Sequence, residues 1–331
     1  MKRFLVIGTL ALVACESSPS APGPAFEPDL SLENIEEHLS VLAHDSMYGR
    51  RAGSEYELMA AEYIRDEFIE YGLEPGAPLY MQTFGEPAIS ESASASAGPT
   101  TAAQWVSQNV LAVIPGEGEL ADEWVVLGAH YDHVGWTLQA DTALVYNGAD
   151  DNASGTALLL ELARGLAEWE ANGGVGSNGR RSIMIQAYGA EEVGLVGSTY
   201  FCENPAVPIG DIVAMLNFDM VGRYAENGLT LVGYSVSPDW PDIVAGANSE
   251  GLEFSENIGL VSRSDQACFY ERERPILFFH TGIHDEYHTP YDDIELIDFD
   301  GLETVGDLAA AVAVILAVRP EPPEYGVVHS E

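Results

Sequence analysis

Lysine is nearly missing from this chain of 331 residues: Lys2 is the only one, and twelve arginines complete the 13 basic residues. That scarcity removes the amine on which P-loop phosphate binding, Schiff-base catalysis and pyridoxal chemistry depend. The few cations are outweighed by 53 acidic residues, for a formal net charge of −40. Nucleic acid and anionic lipid surfaces are poor partners for such a chain, because binding them needs cationic side chains that displace counterions. Cysteine is sparse too, at three. Carboxylates, imidazoles, hydroxyls and metals are left to carry chemistry. Hydrophobic residues make up 47% and mean hydropathy is near zero, the balance of a globular protein. A chain of about this length buries roughly three quarters of its unfolded surface, so one large α/β domain or two small ones fit.

The N-terminus reads as an address rather than as structure. Lys2 and Arg3 precede an apolar run, Phe4 to Ala14, that is too short to span a bilayer. Residues 1–14 are therefore expected to be a signal peptide. Leu12-Val13-Ala14-Cys15 resembles the lipobox of bacterial lipoproteins, which implies acylation of Cys15 as the chain's one membrane contact. Residues 15–28, rich in Ser, Pro and Ala, read as a flexible tether. A single domain over 29–320 and a tail over 321–331 complete the expected organisation. Such a protein is exported, as a periplasmic or outer-membrane lipoprotein or in secreted form. Export permits disulfides, and Cys202 and Cys268 are the two cysteines left to form one, although pairing is not readable from sequence.

Between the ends, Ser31–Ala43 and Ser54–Tyr71 carry helical spacing, the second stopped at Gly72. Residues 88–103 read as a loop. Apolar runs at Val110–Ile114, Trp124–Ala129, Ser182–Tyr188, Ile212–Phe218 and Pro275–Phe279 read as buried strands. Leu158, Leu162 and Leu166 mark one face of a helix over Ala153–Trp169. Near the C-terminus, Asp300 and Glu303 have capping-box spacing ahead of Leu302, Val305, Leu308, Val312 and Leu316, and the run Leu308–Val318 suits a buried core helix. Strands alternating with helices predict an α/β fold: a three-layer, open, mixed and mostly parallel sheet with helices on both faces.

Polar residues stand where these strands end, and ligands of open α/β sheets bind at that edge. The first central run leads into His130-Tyr131-Asp132, the next into Glu191-Glu192, and the third into Asp219. The last leads to a segment with His280, His284 and His288, while Asp150-Asp151 precede the Ala153 helix. Each piece alone has a bland reading: a structural histidine, an N-cap, a solvated turn. Together they form an imidazole and carboxylate set without thiolate, which suits Zn²⁺, Mn²⁺ or Co²⁺ better than Ca²⁺ or Mg²⁺.

In order, His130-Tyr131-Asp132, Gly148-Ala149-Asp150-Asp151-Asn152-Ala153-Ser154-Gly155, Ala190-Glu191-Glu192-Val193-Gly194-Leu195, Asn217-Phe218-Asp219-Met220 and Tyr287-His288-Thr289-Pro290 resemble the motif set of the M28 zinc peptidases. These are di-zinc aminopeptidases of the leucyl and Streptomyces type, with carboxypeptidase relatives. The resemblance, spanning His130 to Asp292, implies the zinc-dependent exopeptidase fold, of phosphorylase/hydrolase-like architecture. It makes His130 and Asp219 ligands of one zinc, Glu192 and His288 ligands of the other, and Asp151 the bridge. Manganese or cobalt could replace zinc. Three carboxylates and a bridging hydroxide would neutralise the four charges of two ions. Glu191 resembles the general base, Asp132 the carboxylate that accepts the second N–H of His130. Tyr287 is positioned to donate to an oxyanion or simply to pack. Peptides are the implied substrates.

Several alternatives remain open at this level. His284 to His288 has the spacing of the helical H-E-x-x-H motif, but Asp285 replaces its glutamate and Gly282 and Pro290 flank it. His284 is thus expected to be a loop residue or substrate contact, and His133 and His280 structural. Ser264-Asp265-Gln266 lies where relatives carry Ser-Asp-His, which puts a role there in doubt. Residues 224–262, with Trp240 and Phe254, are expected to wall the specificity pocket. A carboxypeptidase or dipeptidase of the same superfamily, or a catalytically silent tethered binding module, are the competing functions. A glutaminyl cyclase, which binds one zinc, fits the acidic pair less well.

Overall fold

The computed structural model describes residues 28–86, 105–140 and 142–326. The expected signal peptide, Cys15, nearly all of the tether and the 88–103 loop lie outside the described residues, as does the end of the tail. The core of the fold is a nine-stranded sheet whose four central strands, Ser182–Tyr188, Trp124–His130, Ile212–Phe218 and Ile276–His280, are adjacent in that order and parallel. Trp105–Ile114 and Leu229–Val232 flank them antiparallel. The remaining strands, Glu74–Pro75, Met81–Glu86 and Phe254–Ser255, extend the two margins. The sheet is therefore mixed with a parallel centre, as the spacing of runs predicts.

Period-two alternation divides the strand side chains between two cores. Val125, Leu127, Ile183, Ile185, Ala214 and Leu216 face the larger one, with helices Leu32–Leu42, Glu55–Glu70, Gly155–Ala171, Trp240–Ala247 and Phe299–Val318. Val126, Met184 and Met215 face a thinner layer containing the short helices Val196–Glu203 and Ala267–Tyr270. Strands covered on both sides carry no polar face, which is why they read as unbroken apolar runs. Gly128 shows how tightly they meet: a Cβ there would lie 2.6 Å from the Tyr188 ring.

Two boundaries differ from the spacing-based reading. Asp298, not Asp300, caps the last helix, its carboxylate accepting from Gly301 N–H at 3.1 Å. The Trp105–Ile114 strand begins five residues before Val110. Ser107, Gln108 and Asn109 within it are polar yet buried, because Ser107 bonds Glu57, Gln108 bonds Tyr131, and Asn109 bonds Gln82 and the Gly197 carbonyl. Phe299–Val318 is long and apolar enough to cross a membrane, but Leu302, Val305, Leu308, Val312 and Leu316 are buried in the larger core.

Cys202 and Cys268 form a disulfide that joins the two short helices of the thin layer across 66 residues of chain. Loop closure of that length in the unfolded state corresponds to about 4 kcal/mol on chain-entropy grounds. The Cys202→Ser/Cys268→Ser variant should therefore lose about 2–4 kcal/mol in a urea unfolding titration, and reductant should shift the wild type alone.

Candidate metal centre

Because the four central strands are parallel, their C-terminal ends share one edge, with His130 opposite Tyr188 and Phe218 opposite Phe279. Each delivers part of one site. His130 ends its strand and is buried, with Nε2 at 3.5 Å from both Asp151 Oδ1 and Asp219 Oδ1. Asp151 sits in the irregular turn Ala149–Ser154 ahead of the Gly155–Ala171 helix. Its other oxygen, Oδ2, lies 2.9 Å from Nε2 of His288, which in turn stands 3.1 Å from Glu192 Oε2. Two clusters result: His130, Glu191 and Asp219; and His133, Asp151, Glu192 and His288. Within each, ligand atoms lie within 4.8 Å of one another, and Asp151 touches both.

Asp151 Oδ2 and His288 Nε2 are buried atoms that form no hydrogen bond although they are close. Two ligand atoms converging on a common point is the arrangement expected around a shared cation, where tetrahedral ligand atoms on bonds of about 2.0–2.1 Å stand about 3.3 Å apart. The donors are nitrogen and oxygen without sulfur, which fits Zn²⁺, Mn²⁺ or Co²⁺. Electrostatics agree. Burial opposes the charge on Asp151, yet the His130 and His288 rings hold its carboxyl well below the usual range. Burial likewise disfavours charging His288, but the Asp151 and Glu192 carboxylates outweigh it and raise its pKa to about 10. His130 is raised by Glu191, Asp219 and Asp151 against the opposing effect of its burial. Protons here stand in for the charge a metal would bring.

A model of peptidase family M28 matches residues 109–313. This chain belongs to peptidase family M28. It is 29% identical over 226 residues to aminopeptidase YwaD of Bacillus subtilis, covering 65% of this chain and 46% of that protein. Leucine aminopeptidase 1 of Penicillium rubens is 27% identical over 290 residues, covering 81% and 71%. The chain spans about half the length of several curated relatives it matches. Among solved structures, a zinc aminopeptidase from Bacillus subtilis superposes with a TM-score of 0.69 at 19% identity, covering 91% of this chain and 99% of that one. A glutaminyl cyclase from Bacteroides thetaiotaomicron gives 0.66 at 18%, covering 87% and 99%. At such identities the likeness is one of fold, and this M28 fold is shared by both.

The M28 motif residues thus lie together, with some roles altered. Asp132 faces His130 Nδ1 with its carboxylate at 3.8 Å but with its backbone carbonyl at 3.2 Å. That carboxylate is spent instead on the Glu191 and Glu192 amides, at 2.9 and 3.3 Å, so it aims the acidic pair. Tyr287 stacks on the His288 ring with centroids 3.8 Å apart at the mouth of the site. His280 is structural, its Nδ1 meeting the Asp219 carbonyl at 2.9 Å. His284 is a buried loop residue 3.3 Å from Asp150 Oδ2, outside both clusters. Trp240 does not wall a pocket: its side chain is fully buried in the larger core, and Phe254 packs on a sheet margin.

Three residues lie at the site without having been expected there, among them His133, which was expected to be structural. His133 joins the second cluster. Asp292 accepts the Asp150 and Asp151 amides at 3.0 Å and so fixes the turn that bears the shared carboxylate. Its position, four residues beyond His288, was the available signal. Asp265 is fully buried, neither oxygen is hydrogen-bonded, and burial pushes its pKa up to about 6. Ser264 and Gln266 on either side both accept from Asn217 Nδ2, which anchors the segment.

The Asp151 and Glu192 carboxylates raise the pKa of His288 in the metal-free chain, so a metal must displace a proton from the ring near neutral pH. Titration calorimetry of Zn²⁺ into metal-free protein at pH 7–8, in buffers of differing ionisation heat, should show net proton release, and metal affinity should fall as pH is lowered.

Proposed function

We propose that this M28 peptidase is an exported two-metal aminopeptidase that removes N-terminal residues from peptides. The observation that carries this reading is the divided carboxylate of Asp151, one oxygen toward His130 and Asp219 and the other toward His288. Two ions so held would polarise a scissile carbonyl and lower the pKa of a bound water toward ~7. Glu191 is the base. Burial, with Asp265, Asp219 and Glu192 nearby, raises its carboxyl against the pull of His130, and Asp132 fixes its backbone. It takes the water's proton as oxygen joins the carbonyl carbon, and returns that proton to the nitrogen as the C–N bond breaks. Tyr287 at the mouth supplies an O–H toward the developing oxyanion.

Preference for a free amino end follows from charge. The site is lined by carboxylates, and the buried arginines behind it are engaged inward: Arg50 with backbone carbonyls, Arg223 with Glu226, Glu286 and Asp292. An ammonium group is attracted by that lining of carboxylates. The aminopeptidase relatives support the same choice. A disulfide between Cys202 and Cys268 is in keeping with an oxidising compartment and hence with export.

Release of p-nitroaniline from aminoacyl p-nitroanilides should be abolished by a chelator and restored by Zn²⁺, and N-acetylated substrates should be inert. Glu191→Gln should lower kcat by about 10²–10⁴-fold with metal content unchanged in elemental analysis. Full activity of that variant would remove Glu191 from the mechanism, and turnover confined to blocked peptides would replace aminopeptidase with carboxypeptidase.

A further inference from the structure

We propose that His133 is a positioning residue that holds Glu192 to the second metal through a single oxygen and so keeps that site open. This rests on the two-metal reading and concerns a residue outside the ligand set derived above. His133 is buried, and its backbone N–H donates to the Arg50 carbonyl at 3.3 Å. Its ring packs closely against Gly148, where an added Cβ would lie 2.5 Å from the imidazole Cγ and Cδ2. Gly148 also has φ of +56°, so both the backbone and the ring demand glycine there. The imidazole is therefore locked in orientation.

From that position Nδ1 lies 2.8 Å from Glu192 Oε1, while the other oxygen, Oε2, faces His288 Nε2 at 3.1 Å. One oxygen is engaged by His133 and the other is directed into the metal position. Nδ1 is 3.6 Å from Asp151 Oδ2, close enough that a ligand role must be weighed. Two observations decide against it. Nε2 of His133 is buried and without a partner. Metal on Nδ1 would require the proton on Nε2, leaving a buried N–H with no acceptor, whereas an Nδ1–H donor leaves Nε2 a bare acceptor, the milder defect. Coordination number points the same way. Asp151, Glu192 and His288 are three protein ligands, and a fourth from His133 would close a tetrahedral shell in the manner of structural sites, where hydrolysis needs a vacant position.

The test measures metal retention and uses amide isosteres. In His133→Asn the side-chain amide stands near the Nδ1 position and can donate to Glu192. In His133→Gln it reaches toward Nε2, and in His133→Ala it is absent. Metal-free proteins are loaded with Zn²⁺, dialysed against graded chelator, and assayed by elemental analysis, with thermal melts of the metal-free forms as the folding control. Wild type should hold two ions. The alanine and glutamine variants should keep the first and bind the second about 10–100-fold more weakly, and asparagine should restore it to within a few-fold. Cobalt-loaded wild type and His133→Asn should have the same visible spectrum. Should the alanine variant fail to fold, the asparagine and glutamine pair carries the comparison. Second-site affinity unchanged in alanine and glutamine overturns the proposal. So does an asparagine variant as weak as glutamine with a changed cobalt spectrum, which would make His133 a ligand. A wild type holding fewer than two ions fails the two-metal reading itself and is recognised before any variant is compared.

Discussion

The buried guanidinium of Arg50 is the constraint on which the site depends. Its Nε donates to the Tyr131 carbonyl at 2.7 Å, Nη1 to the Leu42 and Asn147 carbonyls at 2.5 and 2.7 Å, and Nη2 to the Gly148 carbonyl at 3.1 Å. Four neutral acceptors satisfy its donors without neutralising its charge. Burial pulls its pKa down to about 10, while the carboxylates of Asp132, Asp151, Asp292 and Glu192 pull it the other way. One side chain from the N-terminal region thus ties together the end of the Trp124–His130 strand, the approach to the Asp151 turn and the end of the first helix. It also places a fixed positive charge behind an acidic centre. Lysine could not replace it, since only a planar fork reaches separate carbonyls at once.

Around that anchor the ligands belong to elements of unequal rigidity. His130 and Asp219 sit at or just beyond strand ends, and Asp151 on a turn clamped by Asp292 and by Asn152, whose amide donates to the Phe218 carbonyl. His288 lies on a loop and is about a third exposed. The acidic pair falls between these extremes, because Asp132 holds both of its amides. The geometry is built from backbone hydrogen bonds more than from contacts among the ligands themselves.

Much of this was legible in the chain because the central strands are covered on both faces and end in the residues that matter. Legibility failed where polar groups are buried in pairs. Ser107, Gln108 and Asn109 look like loop, yet each finds a distant partner, so a strand begins where composition argues against one. The Asp300–Glu303 spacing is a decoy, since Asp298 turns into the helix earlier and takes the Gly301 amide. His133 reads as structural because it falls just outside the His130-Tyr131-Asp132 pattern, and only the fold brings Glu192 against its ring. Asp292 was overlooked for a different reason, as its partners are backbone amides about 140 residues away.

The same shortage of cations that opened the reading has a consequence for survival. Among the described residues Arg50, Arg180, Arg181 and Arg223 are buried, six more arginines are half-buried, and Arg263 alone is exposed. An endopeptidase that cuts after basic residues finds few exposed targets across the described surface. Resistance to such digestion comes from where the few guanidinium groups are kept.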